Sequence, residues 1–283
     1  MTIPVDALWT AVTNQALGQA SGQAHPLWAG LATTLGLFQS QPSIDDLNQA
    51  ARKLSLSNAR GLPLRFEAQR SACGQRQYEA LIDEQGIIPT RADHWHDIFN
   101  ACIWLSYPKT KAALNAIQAS QPSDTPIRTR AGDTATLFDE SGAILIGPDP
   151  RLARWLQDHE WQRAFVEYRH LWRNHRLLLV GHAVLEKLVA PYPGMIAKVI
   201  YQPWPATDGK LDAPPAGLDQ AMAARWLAQE FAQPAQLFPL PVLGIPGAAP
   251  GNESPRFYDN TEVFRPLRPK NKKITTDQRQ QLT

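Results

Sequence analysis

The chain has little cysteine and no long apolar run. Its two cysteines, Cys73 and Cys102, can form at most one disulfide, which fits a reducing compartment better than a disulfide-built secreted fold. No apolar run reaches the about 18 residues that a membrane-spanning helix needs. The N-terminal sequence MTIPVDALWTAVTN lacks a basic segment followed by an apolar one, so we expect no signal peptide. These absences predict a soluble, cytoplasmic protein without a membrane span.

Strong charge and the common phosphate-binding motifs are also missing. The formal net charge is only +2, which indicates neither a nucleic-acid surface nor a membrane surface. The sequence contains no GxxxxGK[ST] and no GxGxxG loop. Ser106, Ser141 and Cys102 lack the sequence context of a nucleophile elbow. The sequence therefore contains none of these nucleotide-binding or serine-hydrolase motifs, and they give no indication of function.

Apolar bulk and proline are plentiful: 43% of the residues are hydrophobic, and there are 24 Pro and 9 Trp among the 283 residues. A chain of this length can bury one large core. We expect an α+β fold, a mostly helical single domain with a small antiparallel sheet and a Pro-rich C-terminal wrap. Residues 1–60 would be a helical segment packed on the main domain, residues 61–264 the main domain, and residues 265–283 a basic mobile tail.

Local patterns predict individual elements. Residues 64–68 alternate as a strand does, and residues 78–84 form a helical segment that ends at Gly86. Residues 134–138 and 143–146 predict the two strands of a β-hairpin, with DESG at 139–142 as its turn. Helices are expected at 182–189 and 218–232, and a strand at 195–201. From residue 239 onward, Pro and Gly are too frequent to predict regular elements.

The segment 93–115 (DHWHDIFNACIWLSYPKTKAALN) combines apolar bulk with hydrogen-bonding chemistry. It predicts a helix capped by Asp93, a break at Pro108 and the start of a second helix. His96 and Asn100 are four residues apart and share one face of the first helix. An apolar stripe occupies another face: Trp95, Ile98, Phe99, Cys102 and Leu105. The segment therefore predicts a polar site on a buried helix.

His96 and Asp97 form a His-Asp pair, which can supply two metal ligands. The pair resembles the first motif of the HD phosphohydrolases, although only two residues carry this likeness. His94 does not easily add a ligand, because residues two apart point to different sides of a helix. The structural alternative is that His96 bonds within a buried polar cluster, while Asp97 offsets the positive helix N-terminus.

His182 and Glu186 lie four residues apart on a predicted helix and can converge on one metal ion or one proton. The alternative is that Glu186 only orients His182. Asp139 and Glu140 lie at the predicted hairpin turn, where acidic residues are ordinary turn chemistry. The functional interpretation is that the hairpin tip lowers Asp139 into the site.

Three cations, Arg91, Lys109 and Lys111, flank the helix that carries His96. Together with the N-terminus of the helix after Pro108, they would form a pocket for phosphate or carboxylate. Solvated surface lysines are the alternative. The basic tail could touch nucleic acid or remain a solubilising segment. Its cations are Arg265, Arg268, Lys270, Lys272 and Lys273.

Separated motifs in a fixed order give the sequence its family resemblance. They are YE at 78–79, WHDxFNA at 95–101, PKTK at 108–111, TLFDExG at 136–142, GHAxxE at 181–186, PLPVxGxPG at 239–247 and VFRP at 263–266. From about residue 60 onward the chain resembles an uncharacterised proteobacterial family, domain-of-unknown-function family 3025. The first 60 residues match only loosely. The resemblance implies no reaction, because the family has no established activity.

Our leading hypothesis is a metal-dependent hydrolase that acts on a phosphate-containing or nucleic-acid-like substrate. A divalent metal would be held by His96, Asp97, His182 and Glu186, with Asp139 as a further catalytic carboxylate. A small anionic ligand would be held by Arg91, Asn100, Lys109 and Lys111. A non-haem iron oxygenase is the second enzyme hypothesis, since two His and one carboxylate can occupy one face of iron. The third is a non-catalytic binding protein with a buried polar network.

Overall fold

Helices form the larger part of the regular structure. The computed structural model describes residues 5–19, 24–69, 73–91, 93–121, 129–206 and 211–267. The α-helices in these ranges are α1 Val5–Leu17, α2 Ala32–Leu35, α3 Ile44–Lys53, α4 Gln75–Gln85, α5 Trp95–Ser106, α6 Pro108–Ala119, α7 Arg130–Ser141, α8 Pro150–Gln157, α9 His182–Leu188 and α10 Leu218–Leu227. Short 3-10 turns and one π turn connect several of them.

Two sheets hold the strands of the described ranges. The strands are β1 Arg65–Ala68, β2 Ile87–Thr90, β3 Gly142–Gly147, β4 Arg176–Leu179, β5 Ile196–Pro203 and β6 Phe238–Pro241. The larger sheet has the order β4-β3-β5-β6, and β1 pairs with β2 in a separate sheet. Every residue of β3 is buried, as expected for a central strand that is covered on both faces.

The helix α5 lies between the two apolar cores of the protein. Ile98 and Phe99 belong to the larger core, which contains the four-stranded sheet, whereas Ala101 and Trp104 belong to a smaller core beside β1 and β2. Residues 97–105 are all buried, including the polar Asp97 and Asn100, because the two cores cover this stretch of α5 from both sides. The first turn of α5 is less buried, and it carries His96.

The predicted α+β class is confirmed, but the strand directions differ from the antiparallel sheet that we expected. β1 and β2 are parallel, and so are β3 and β5, whereas β4 and β6 run antiparallel to their neighbours. Parallel strands need a long crossover connection, and here α8, β4 and α9 lie between β3 and β5. The residue pattern of a short strand does not show whether the neighbouring strand runs parallel or antiparallel to it.

The predicted hairpin across residues 134–146 is wrong. The first predicted strand is part of α7, which runs directly into β3. The Thr129 side chain accepts a hydrogen bond from the Gly132 N–H and caps the helix. Ala135 and Phe138 are buried three residues apart, which is helical spacing. Asp139 and Glu140 therefore lie in the last turn of a helix rather than at a hairpin tip.

Most other predicted elements are confirmed. They include the strand near residue 65, the helix that ends at Gly86, the helix from His182, the strand near residue 200 and the helix from Leu218. The N-cap of α5 is His94 rather than Asp93, and its side chain makes no capping bond. Of the predicted apolar stripe, Trp95 is only partly buried and stacks on Trp9, with ring centroids 5.9 Å apart.

The Pro-rich C-terminal segment is more buried than the surface wrap that we expected. It contains the strand β6, and Val242, Ile245 and Tyr258 are buried in the larger core. The buried side chain of Asn252 donates to the carbonyls of Leu243 and Ile245 and holds the segment in shape. Residues 268–283 of the predicted tail lie outside the described residues. No described helix combines the length and apolarity needed to cross a membrane.

Gly86 provides a test of the junction between α4 and β2. Its φ is +67°, and a Cβ there would lie 2.3 Å from the Pro63 carbonyl oxygen. Gly61 has a similar φ of +78° but open space around it. We predict that Gly61→Ala costs about 1–2 kcal/mol of unfolding free energy, the cost of the left-handed conformation alone. Gly86→Ala should cost more, because backbone must also move. Urea denaturation of both variants measures the difference, and equal losses would contradict the close packing.

Candidate metal centre

Three helices bring the candidate site together. His96 is in the first turn of α5, Glu140 in the last turn of α7, and His182 and Glu186 are on α9. Gly181 makes this approach possible, because a Cβ there would lie 2.4 Å from the backbone nitrogen of Gly142. The start of α9 therefore passes directly over the junction between α7 and β3, which places His182 beside Glu140.

The ligand atoms of three side chains converge. His96 Nε2 and His182 Nε2 are 3.0 Å apart, and Glu140 Oε1 is 3.7 Å from His182 Nε2. One ligand atom from each of these residues lies within 4.8 Å of the other two. Two nitrogens 3.0 Å apart, each about 2.1 Å from one ion, subtend an angle of about 90° at that ion. The spacing thus suits two neighbouring ligands of a single divalent metal.

Glu186 lies behind His96 rather than among the converging atoms. Its Oε2 is 3.1 Å from His96 Nδ1. A carboxylate on Nδ1 holds the proton on that nitrogen and leaves the Nε2 lone pair directed at His182 and Glu140. The arrangement matches the carboxylate–histidine pairs that orient metal ligands. Without a metal, the same atoms form a hydrogen-bonded chain from Glu186 through His96 to His182.

Burial sets the electrostatics of the site. It lowers the pKa of His182 from 6.5 to about 3, with Lys111 and His96 adding to the effect and Asp139 opposing it. The pKa of Glu140 is raised by burial and by Asp139. His182 is therefore a neutral imidazole near pH 7, which is the form that binds metal.

One side of the centre faces solvent. The His182 side chain is only 5% exposed, whereas that of His96 is 28% exposed and those of Glu140 and Glu186 are 40% exposed. His182 Nδ1 is buried and makes no hydrogen bond of good geometry with the described residues. The Asp139 backbone nevertheless acts to raise the pKa of His182. The centre is thus closed on the His182 side and open on the Glu140 and Glu186 side.

Asp97, a predicted metal ligand, is bound elsewhere. Its carboxylate accepts two hydrogen bonds from the Arg91 guanidinium, at 2.8 and 2.9 Å, and one from the Arg91 backbone N–H at 2.7 Å. Burial acts to raise the pKa of Asp97, but these bonds outweigh it and the pKa is lowered. Asp97 is not one of the three converging ligands, and Arg91 is engaged with it.

The remaining predicted residues also have protein partners. Lys111 is buried in an ion pair with Asp139, and its Nζ lies 5.3 Å from the Trp104 ring centroid. Burial acts to raise the pKa of Asp139, but Lys111 outweighs it and the pKa is lowered. Lys109 donates to Gln220 of α10, and Asn100 donates to the hydroxyl of Tyr78 in α4 at 2.7 Å. The predicted anion pocket is therefore not assembled around Lys109 and Lys111.

Sequence reasoning missed Glu140 as a candidate ligand. The pattern at residues 134–138 predicts a strand, which places Glu140 in a turn. The capping Thr129 and the buried Ala135 and Phe138 at helical spacing were the signals for α7. With α7 assigned, the last helical turn before a buried strand would have carried both Asp139 and Glu140.

Fold and site together define an α+β protein that presents two imidazoles and a carboxylate where three helices meet. Residues 64–268 match the family model described as "Protein of unknown function (DUF3025)", and the chain belongs to this family. The matched range contains His96, Glu140, His182 and Glu186, so the whole constellation is within the family domain. Comparisons with curated proteins and with solved structures gave no match.

His182 predicts a pH dependence of stability. Its pKa is about 6.5 in the unfolded chain and about 3 in the folded protein. The unfolded state therefore binds the extra proton between these values, and the unfolding free energy falls as pH decreases from about 6.5, by up to about 1.4 kcal/mol per pH unit. Urea denaturation with chelator at about pH 7 and pH 5 should show a larger loss for wild type than for His182→Gln. Equal losses would contradict the buried neutral imidazole.

The Lys111–Asp139 pair makes a different prediction. Lys111→Met leaves a buried carboxylate without its cation and should cost about 3–5 kcal/mol of unfolding free energy. The double variant Lys111→Met, Asp139→Leu should recover much of that loss, because no unpaired charge remains. Chemical denaturation of the single and double variants measures both effects. A Lys111→Met variant as stable as wild type would show that the lysine is not a structural partner.

Proposed function

We propose that the protein is a metal-dependent hydrolase in which His96, His182 and Glu140 bind one divalent ion. The observation that supports this most is the convergence of the three ligand atoms within 4.8 Å. Three protein ligands leave a coordination position for water, as in catalytic zinc sites. The half-exposed Glu140 and Glu186 side chains would leave that position accessible to solvent.

The chemistry follows from the ion and from the groups around it. A divalent ion held by His96, His182 and Glu140 would act as a Lewis acid and, if it is zinc, would make a bound water acidic enough to serve as the nucleophile near neutral pH. Glu186 holds His96 through Nδ1, and its exposed carboxylate lies beside the open face. In this proposal Glu186 orients a ligand rather than serving as one, and Asp97 and Asp139 serve the surrounding structure.

Two cations near the open face favour a phosphate-containing substrate. Lys187 is exposed next to Glu186, and its charge acts on Glu140. The guanidinium of Arg91 is half exposed while it binds Asp97, and its pKa responds to Glu186. A phosphate ester, either small or part of a nucleic acid, would be attracted by these charges.

A non-haem iron oxygenase is the second candidate, because the donor set itself favours it. Two imidazoles and one carboxylate with two nitrogens about 90° apart form the facial arrangement that holds Fe(II) in such enzymes. The metal distinguishes the two candidates: zinc or manganese supports hydrolysis, whereas tight Fe(II) binding with oxygen uptake supports the oxygenase.

Metal titration of point variants tests the proposal. We predict that His96→Ala, His182→Ala and Glu140→Ala each weaken binding of Zn²⁺, Mn²⁺ or Fe(II) by more than about 100-fold. Glu186→Gln should weaken it about 10–100-fold, as loss of an orienting partner does. The binding of each metal is measured by competition with a chromophoric chelator after dialysis against a chelator.

Neighbouring residues supply matched controls. His94 is exposed with its ring 6.2 Å from that of His96, and Asp97 is bound by Arg91. His94→Ala and Asp97→Asn should keep the wild-type affinity. Absence of metal binding in the wild-type protein would leave a hydrogen-bonded His–His–Glu chain and favour the non-catalytic binding protein. If metal binds, phosphomonoesterase and phosphodiesterase assays should show activity that Glu140→Ala abolishes.

A further inference from the structure

A polar interface lies inside the protein where α4, α5 and α6 meet. Asn100 and Trp104 are four residues apart and share one face of α5, and Lys111 and Asn115 share one face of α6 in the same way. The Lys111 ammonium over the Trp104 ring brings these two faces together. α4 covers both faces. Asn100 donates to Tyr78 of α4, and Asn115 donates to Glu79, the next residue of α4. The interface is thus a small region enclosed by three helices.

Three polar atoms in this interface lack a hydrogen-bond partner among the described residues. They are Asn100 Oδ1, Trp104 Nε1 and Asn115 Oδ1, and each of these residues is at least nine-tenths buried. A buried polar group without a partner is costly, so native proteins rarely leave several together.

Exchanging amide oxygen and nitrogen does not remove the problem. The Asn115 NH₂ group donates to the Glu79 carboxylate at 2.8 Å and to the Glu79 carbonyl at 3.0 Å, so an exchange would set oxygen against oxygen. For Asn100 the exchange would only leave the amide nitrogen without a partner in place of the oxygen. A missing partner from outside the chain accounts for the three atoms better.

The hydrogen-bonding roles of the three atoms indicate which kind of partner fits them. Two are acceptors and one is a donor, and a lysine ammonium is beside them. A metal ion would suit the two amide oxygens but would be repelled by the Trp104 N–H and by Lys111. An anion would suit only the donors. Water both donates and accepts, and it is the usual partner of buried polar groups that the chain leaves unsatisfied.

A small recess adjoins this region at Glu79, the hydrogen-bond partner of Asn115. A recess of about 10 Å³, which is about the volume that one water requires, is lined by Glu79 and Gln118 at the far end of the interface. The Gln118 side chain accepts from Thr136 at 3.0 Å and hydrogen-bonds to Asp139, the partner of Lys111. Polar side chains therefore continue from the recess to Asp139, which is adjacent in sequence to Glu140.

We propose that internal water molecules occupy the interface of α4, α5 and α6, bridge Asn100 Oδ1, Trp104 Nε1 and Asn115 Oδ1, and exchange with solvent through the recess at Gln118. This proposal does not depend on metal binding, so it can hold or fail independently of the hydrolase proposal.

The Trp104 indole reports on the proposed water. In protein labelled with ¹⁵N-tryptophan, the Trp104 Nε1–H should show a direct dipolar cross-peak to water in a rotating-frame Overhauser experiment. Trp226 is a matched control, because its Nε1 is also buried without a described partner, but its ring neighbours are Phe138 and Phe231. Trp104→Phe and Trp226→Phe assign the two signals.

The outcomes separate cleanly. A water cross-peak at Trp104 that is at least several-fold stronger than at Trp226 supports the proposal. No cross-peak at Trp104 overturns it. Where a variant fails to fold, a high-resolution crystal structure of the wild-type protein decides: ordered water within about 3.2 Å of Trp104 Nε1 and Asn115 Oδ1 is expected. An interface without solvent density overturns the proposal.

Discussion

The packing of α9 against α5 is the constraint on which the site depends. It sets His96 Nε2 and His182 Nε2 3.0 Å apart, although the two residues are 86 positions apart in sequence. The separation is small enough for a direct hydrogen bond and suits one shared ion equally well. α5 is fixed between two apolar cores, and α9 is fixed by the close contact of Gly181 with the α7–β3 junction. Rigid helices, rather than loops, therefore hold the imidazoles, which favours a preorganised centre.

Burying polar groups costs folding free energy, and this fold buries several of them beside the candidate metal centre. The Lys111–Asp139 pair is buried, although a buried ion pair rarely stabilises a protein more than apolar residues of the same volume would. The pair lies next to Glu140 and acts on the charge state of His182. Its position is understandable if it holds the end of α7 in place and sets the local charge. Asp97, next to His96 in the sequence, is likewise paired, with Arg91. The buried charges of Lys111 and Asp97 are thus already paired.

The sequence was sufficient to predict the class of the fold, the buried helix that carries His96 and the helix that carries His182 and Glu186, because each has a clear local pattern. Glu140 was missed because a short segment of Thr, Ala and Leu fits a strand and a helix almost equally well. The partners of Asp97 and Lys111 could not be predicted, since the choice among many acids and bases depends on tertiary packing. The parallel strands were missed for the same reason.

Anomalous diffraction from crystals grown with Zn²⁺ or Mn²⁺ tests the central claim most directly. The account predicts one peak at the absorption edge of the metal, about 2.0–2.2 Å from His96 Nε2, His182 Nε2 and a Glu140 carboxylate oxygen. Glu186 should remain on His96 Nδ1 without contacting the ion. No peak at this position, or a peak coordinated instead by Asp97 or by Glu186 in place of Glu140, would contradict it.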